Sequence, residues 1–265
     1  MAVLGLELER SFQKRGPMRA FSIFLIAVCA GCASEAPTQS EQVSSAELQS
    51  DCNDPNPALF ERNARPYGVS MVDWSERLWT FILEQPFDHN PFFDPTGADC
   101  ANGQEEGPVW FLPAVVGSSL GTSVTRACTI PRRRALFLQL SSIENDFPCP
   151  DPNFRPAPGQ SLYDFLKDGV TPAIDAVRNF DVTLDGVAIK DVLTYRYTSD
   201  ELFHFRGDVS MQAYDSCVTG RRQPAVADGY YLMFKPLPPG SHTIVVHGQD
   251  MQGTRVTITE NLTIQ

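Results

Sequence analysis

A chain of 265 residues with 42% hydrophobic and 20% charged side chains is long enough for one sizeable domain and has a globular composition. Its 32 acidic and 21 basic residues give a net charge of −11, which sets it against nucleic acid, whose phosphates would repel it. Its 21 prolines favour loops and short strands over long helices.

Residues 1–31 read as a signal segment. In "MRAFSIFLIAVCAGCAS" a basic residue, Arg19, precedes an apolar run from Ala20 to Ala30 that is too short to span a bilayer. The stretch before it carries Glu7 and Glu9 where a basic region is expected, which places the translation start at Met18. Residues 1–31 hold four basic and two acidic side chains, so the chain without them carries −13. The sequence Cys29-Ala30-Gly31-Cys32 resembles the lipobox of bacterial lipoproteins, with Cys29 where Leu is usual. That resemblance implies cleavage before Cys32, a diacylglycerol on its sulfur, and a membrane partner reached through the lipid. Ala33 rather than Asp follows the cysteine, which by the same resemblance implies the outer membrane.

Residues 32–57 are rich in Ser, Glu, Gln and Pro without apolar periodicity, and read as a disordered tether. The remainder, 58–265, is expected to form a single, mostly β domain. "SMVDWSERLWTFILEQP" begins with Ser70, has Asp73 at capping-box spacing, repeats Trp74, Leu78, Phe81 and Ile82 at helical spacing and ends at Pro86. It predicts an amphipathic helix with Trp74 and Trp79 as core anchors. The stretch 88–106 is dense in Asp, Asn, Pro and Gly and reads as a loop. Strands are predicted at 109–112, 123–130 and 135–141. A helix follows over 161–179, broken near Gly169 to Pro172. From residue 180 short strands recur at about ten-residue spacing with Gly and Pro turns. Together these predict a mainly β, α+β fold: an antiparallel β-sandwich with one or two packed helices.

Beyond Cys29 and Cys32 there are five cysteines, and an exported chain favours disulfides. Cys100 pairs with Cys128 in the first expectation and Cys149 with Cys217 in the second, leaving Cys52 in the tether. No C-x-x-C occurs and the histidines do not cluster near the cysteines, so zinc is not favoured.

Three features invite a chemical reading. "GSSLG", residues 117–121, fits the G-x-S-x-G pattern of a hydrolase nucleophile at Ser119, but a β-branched strand follows where that elbow needs a helix. It reads as a loose hairpin turn, and no catalytic residue is assigned. His242 and His247 lie five apart on a predicted strand, hence on opposite faces, and cannot chelate one metal. The loop 88–106 offers Asp88, Asp94 and Asp99 among other oxygen donors. These are the candidate calcium ligands, although the EF-hand spacing is absent; no other cofactor is expected.

Two resemblances extend further. The stretch Leu237 to Ile244 resembles the turn and penultimate strand of Ig-like bacterial surface domains, which implies Ig-like strands concentrated in 180–265. Trp79, "NPFFDPTGADC" (90–100), "GPVWFL" (107–112), "RACTIP" (126–131), "ALF" (135–137) and "DGYYLMFKPLPPGSHTI" (228–244) resemble a family of uncharacterised exported bacterial proteins and lipoproteins. Arg132-Arg133-Arg134 stands where that family has Gly-Lys, and no functional residue is carried over.

The expectation for function is a cell-envelope lipoprotein with a structural or binding role, its partner an envelope protein or a glycan. One alternative is a secreted hydrolase with an acidic site near the 88–106 loop, in a cleft lined by Trp79 or Trp110. Another is a carbohydrate-binding module with Tyr195, Tyr197, Tyr230 and Tyr231 in an exposed row.

Overall fold

The computed structural model describes residues 54–116, 123–249 and 255–265. Cys32, Cys52 and Ser119 lie outside the described residues. Residues 50–265 form one compact unit, and only this unit is described.

The first helix, α1 (Met71–Glu84), starts as its sequence predicts. Ser70 accepts from the Asp73 amide, Asp73 accepts from the Ser70 amide, and Trp74, Leu78, Trp79 and Ile82 are buried. Strands β1 (Val109–Leu112), β2 (Ser123–Ile130) and β3 (Ala135–Asp146) follow, with β3 five residues longer than its apolar run suggests. Helix α2 (Leu162–Asp175) is continuous through Gly169 and Pro172, where the sequence predicts a break. Pro172 removes the amide that would bond the Asp168 carbonyl, but both residues are exposed, so water can serve that oxygen. The remaining strands are β4 (Asp181–Leu184), β5 (Val187–Ala188), β6 (Arg196–Thr198), β7 (Phe203–Arg206), β8 (Arg222–Phe234), β9 (Gly240–Gln249) and β10 (Arg255–Ile264).

The strands form two mixed sheets. One has the order β1-β3-β8-β6, with β7 also on β8; the other has the order β2-β10-β9-β4-β5. The expected mainly β, α+β fold is present, but the sheets are not purely antiparallel: β1 runs parallel to β3, and β2 parallel to β10. Strands β1 and β2 therefore do not form a hairpin across 117–121; they belong to different sheets. Strands from before residue 180 also enter both sheets, so the C-terminal segment does not build an Ig-like unit alone.

Successive side chains on β8 point to opposite faces. Tyr231, on one face, accepts from the Trp79 indole at 3.1 Å, which seats α1 there. Val226, on the other, packs with Leu166 and Val170 of α2. The first sheet is thus covered by a helix on each face. The main apolar cluster draws on both sheets and α1, including Leu78, Ile82, Phe137, Leu232, Ile244 and Leu262.

The folded unit begins before residue 58. Asn56 is buried, its amide nitrogen donating to the Lys190 carbonyl at 3.0 Å and its oxygen accepting from the Lys190 amide at 2.7 Å. The expected end of the tether at 57 is therefore too late.

Candidate functional site

The loop 88–106 is a packed plug, not a calcium loop. Asn90 is buried, donating to the Ile82 carbonyl and accepting from the Phe92 amide. The Thr96 carbonyl accepts from the Ala127 amide of β2 at 2.9 Å. Gly97, at φ 85°, lies so close that a Cβ would stand 2.2 Å from the Ala127 carbonyl oxygen. The Cys100–Cys128 disulfide then fastens the loop to the same strand, with the Cα atoms 5.9 Å apart.

This packing disposes of the three predicted calcium ligands separately. Asp94 accepts from the Thr96 amide and hydroxyl and from the Asp99 amide, at 2.6 to 2.8 Å. Burial opposes its ionisation, yet these bonds and the nearby Arg126 charge hold its carboxyl below the usual range. Asp99 bonds the His89 ring and the Asn102 amide. Asp88 is exposed. Among the described residues these three carboxylates do not converge on one point.

The other predicted features separate as well. Tyr195, Tyr197, Tyr230 and Tyr231 are all buried, so they form no exposed platform, and Trp79 and Trp110 are buried too. His242 bonds Asp185 and the Pro238 carbonyl, while His247 bonds Thr257. The triple arginine is a turn: Arg133 has φ 67°, and the Arg134 guanidinium lies 5.5 Å from the Trp110 ring centre.

A different group of residues forms the chemical centre of the domain. Along β3, Ser142, Glu144 and Asp146 share one face, opposite Gly229, Ala227 and Ala225 of β8. The small β8 residues leave room for this polar row; a Cβ at Gly229 would stand 2.1 Å from that of Ser142. Ser142 accepts from Gln139, whose own oxygen takes the Ala114 amide.

At the far end of the row Asp146 is 2% exposed. Its Oδ2 accepts from the Gln223 side chain, and its Oδ1 is buried without a partner. Gln223 is oriented by Thr219, whose amide and hydroxyl both donate to the Gln223 oxygen, so the Gln223 nitrogen must face Asp146 and the Cys217 carbonyl. Asp215 comes from the turn after the short helix at Val209–Ala213 and brings a carboxylate oxygen within 4.8 Å of an Asp146 oxygen. Glu144 adds a third carboxylate, whose Oε1 is also buried without a partner.

Among the described residues none of these three acids is in an ion pair. At an effective dielectric of about 20, two unit charges this close repel by roughly 3 to 4 kcal/mol. Burial, and then the Asp215 charge, push the Asp146 carboxyl up to about 8; burial and both neighbouring acids push Glu144 up as well. Tyr214 is raised to about 12 by burial and then by Glu144 and Asp215, its ring held against Phe92 and Phe93.

The Cys149–Cys217 disulfide sits beside this cluster with its Cα atoms 4.2 Å apart. Cys217 lies within reach of both aspartates, but its sulfur is bonded to Cys149 and offers no thiolate. Sequence reasoning missed the cluster because it ended β3 at Ser141. The signal was present, since Asp146 lies three residues before Cys149 and Asp215 two before Cys217. The expected disulfide would bring the two acids together.

Comparison with known proteins adds little. No family model matches the chain, and no curated protein does. The solution structure of amebosin is 12% identical, with a TM-score of 0.19, over 54% of this chain and 96% of that one. The structure of PbICP-C in complex with falcipain-2 is 12% identical, with a TM-score of 0.22, over 60% of this chain and 100% of that one. At those scores neither bears on the fold or function of this chain.

Proposed function

We propose that this chain is an exported cell-envelope lipoprotein, held to the outer membrane by lipid on Cys32, whose domain has a structural or binding role rather than a catalytic one. The observation that carries the reading is the pairing of all four cysteines in the described residues, Cys100 with Cys128 and Cys149 with Cys217. Disulfides persist in the periplasm and outside the cell and are rare in a reducing cytosol. The signal-like residues 1–31, the cysteine at the end of that segment and the Ser- and Glu-rich stretch after it supply the route and the tether. The non-catalytic part draws support from the burial of Trp79, Trp110 and the four tyrosines and from the hydrogen bonds within the loop that hold Asp94.

Mass spectrometry of the mature N-terminus in a detergent extract tests this. The expected terminal peptide begins at Cys32 and carries a diacylglycerol thioether, and Cys32→Ser releases the protein from the membrane fraction. An unmodified peptide running through Cys32 in the wild-type protein overturns the anchor.

A further inference from the structure

We propose that Asp146 and Asp215 form a calcium site, with the Glu144 carboxylate beside it. The proposal goes beyond the envelope reading and does not depend on the lipid anchor. Its ground is a donor set without a cation. Asp146 Oδ1 is buried in a residue only 2% exposed and has no hydrogen-bond partner among the described residues; Glu144 Oε1 is likewise buried and unpartnered there. Asp215 Oδ1 accepts the Cys217 amide at 2.8 Å, which fixes the carboxylate and leaves its second oxygen available. Among the described residues the only side-chain donor to Asp146 is the neutral amide of Gln223, held in that orientation by Thr219. Neutral donors orient a carboxylate but do not balance its charge. A buried acid with a free oxygen, facing a second acid, is what a bound cation would satisfy.

Geometry and chemistry select the ion. Oxygens on one calcium lie about 2.3 to 2.6 Å from it and so can stand up to about 5 Å apart, whereas magnesium gives up its waters reluctantly, which disfavours it beside an acid as buried as Asp146. The Asp146 and Asp215 oxygens fall within 4.8 Å of each other, close enough to share one ion. Both converging carboxylates offer hard anionic oxygens. The one nearby sulfur is closed in the Cys149–Cys217 disulfide, which removes the thiolate that would favour zinc. That bridge also ties the segment carrying Asp215 to the chain just after Asp146, so two ligands from distant parts of the sequence are held together before the ion arrives. With Asp146 this buried, a glycosidic bond cannot reach it.

The test uses the full chain purified in detergent, first stripped with EDTA. Calcium at one hundred times its Kd is expected to raise the melting temperature by about 5 °C. Isothermal titration should read one site. Asp146→Asn and Asp215→Asn should each lose at least tenfold in calcium affinity, while the exposed Asp88→Asn keeps the full response. Asp215 is only partly buried, so its variant keeps the test open if Asp146→Asn does not fold. The proposal is overturned if millimolar calcium leaves the wild-type melt unchanged, if magnesium acts equally well at equal concentration, or if the folded Asp215→Asn protein responds like the wild type.

Discussion

A buried ion pair and a lone carboxylate show how differently single charges are handled here. Arg126 and Glu260 sit directly opposite each other on the parallel pair β2 and β10, each 2% exposed in its side chain, with nitrogen–oxygen contacts of 2.8 and 3.1 Å. The third arm of Arg126 donates to the Pro91 carbonyl, so the guanidinium also anchors the 88–106 loop. Burial raises the Glu260 carboxyl, and Arg126 opposes that rise. Arg126→Met leaves an uncompensated buried carboxylate and is expected to cost about 3 to 5 kcal/mol in urea unfolding, whereas Arg126→Met with Glu260→Met should recover most of the loss. Among the described residues Glu76 on α1 has no such partner. Burial raises its carboxyl to about 7, the Ser199 hydroxyl opposes the rise, and Asp73, Asp200 and Glu201 add to it. A folded-state value above the unfolded one means that the native chain binds the extra proton between about pH 4.5 and pH 7. The contribution of Glu76 to stability is therefore present below that window and is lost as pH rises through it. Glu76→Gln should flatten this part of the melting-temperature profile and raise the melting temperature at pH 8, with little change at pH 4. A variant whose profile keeps the wild-type slope would rule this out.

Helix α2 carries the clearest lesson about elements. Its Gly169 looks like a weak point, since Gly costs about 1 kcal/mol against Ala inside a helix. Yet a Cβ there would stand 2.0 Å from the Asn145 amide nitrogen, which donates to the Leu166 carbonyl at 3.0 Å. The glycine lets β3 reach the helix backbone. Gly169→Ala is expected to destabilise the protein by about 1 kcal/mol, because the lost bond outweighs the gain in propensity. In an Asn145→Ala background the same substitution should stabilise by about 1 kcal/mol, and thermal melts of the four proteins would read the change of sign. The same contrast explains what the sequence reveals about elements. Ser70 and Asp73 announce α1, and the alternation of Val124, Arg126, Cys128 and Ile130 announces β2, because both signals lie within one element. The parallel pairing of β2 with β10 joins segments more than a hundred residues apart, and no local period encodes it. The continuity of α2 through Pro172 was equally hidden, since it depends on which side of the helix faces water.

At the scale of the whole molecule, the two disulfides decide how far the fold depends on its compartment. They close loops of 28 and 68 residues. In the chain-entropy picture, loops of these lengths restrict the unfolded state by about 3.6 and about 4.4 kcal/mol. A domain of this size commonly has a net stability of about 5 to 15 kcal/mol, so losing both bridges removes a large part of it. The two bridges also differ in what they hold. Cys100–Cys128 fastens the plug to β2, where the Arg126 charge acts on both Asp94 and Glu260 and offsets their repulsion. Cys149–Cys217 holds Asp215 against Asp146, so cutting it lets two like charges separate and offsets part of the entropic loss. Cys100→Ala with Cys128→Ala should therefore lower stability by the full value for its loop, about 3.6 kcal/mol. Cys149→Ala with Cys217→Ala should fall short of the about 4.4 kcal/mol that its longer loop implies. Urea titrations of both double variants at pH 9 in chelator, where the carboxyls are ionised, would measure the two losses. A loss at Cys149–Cys217 that reaches or exceeds the loop-length value would mean that the bridge holds no strained charge pair.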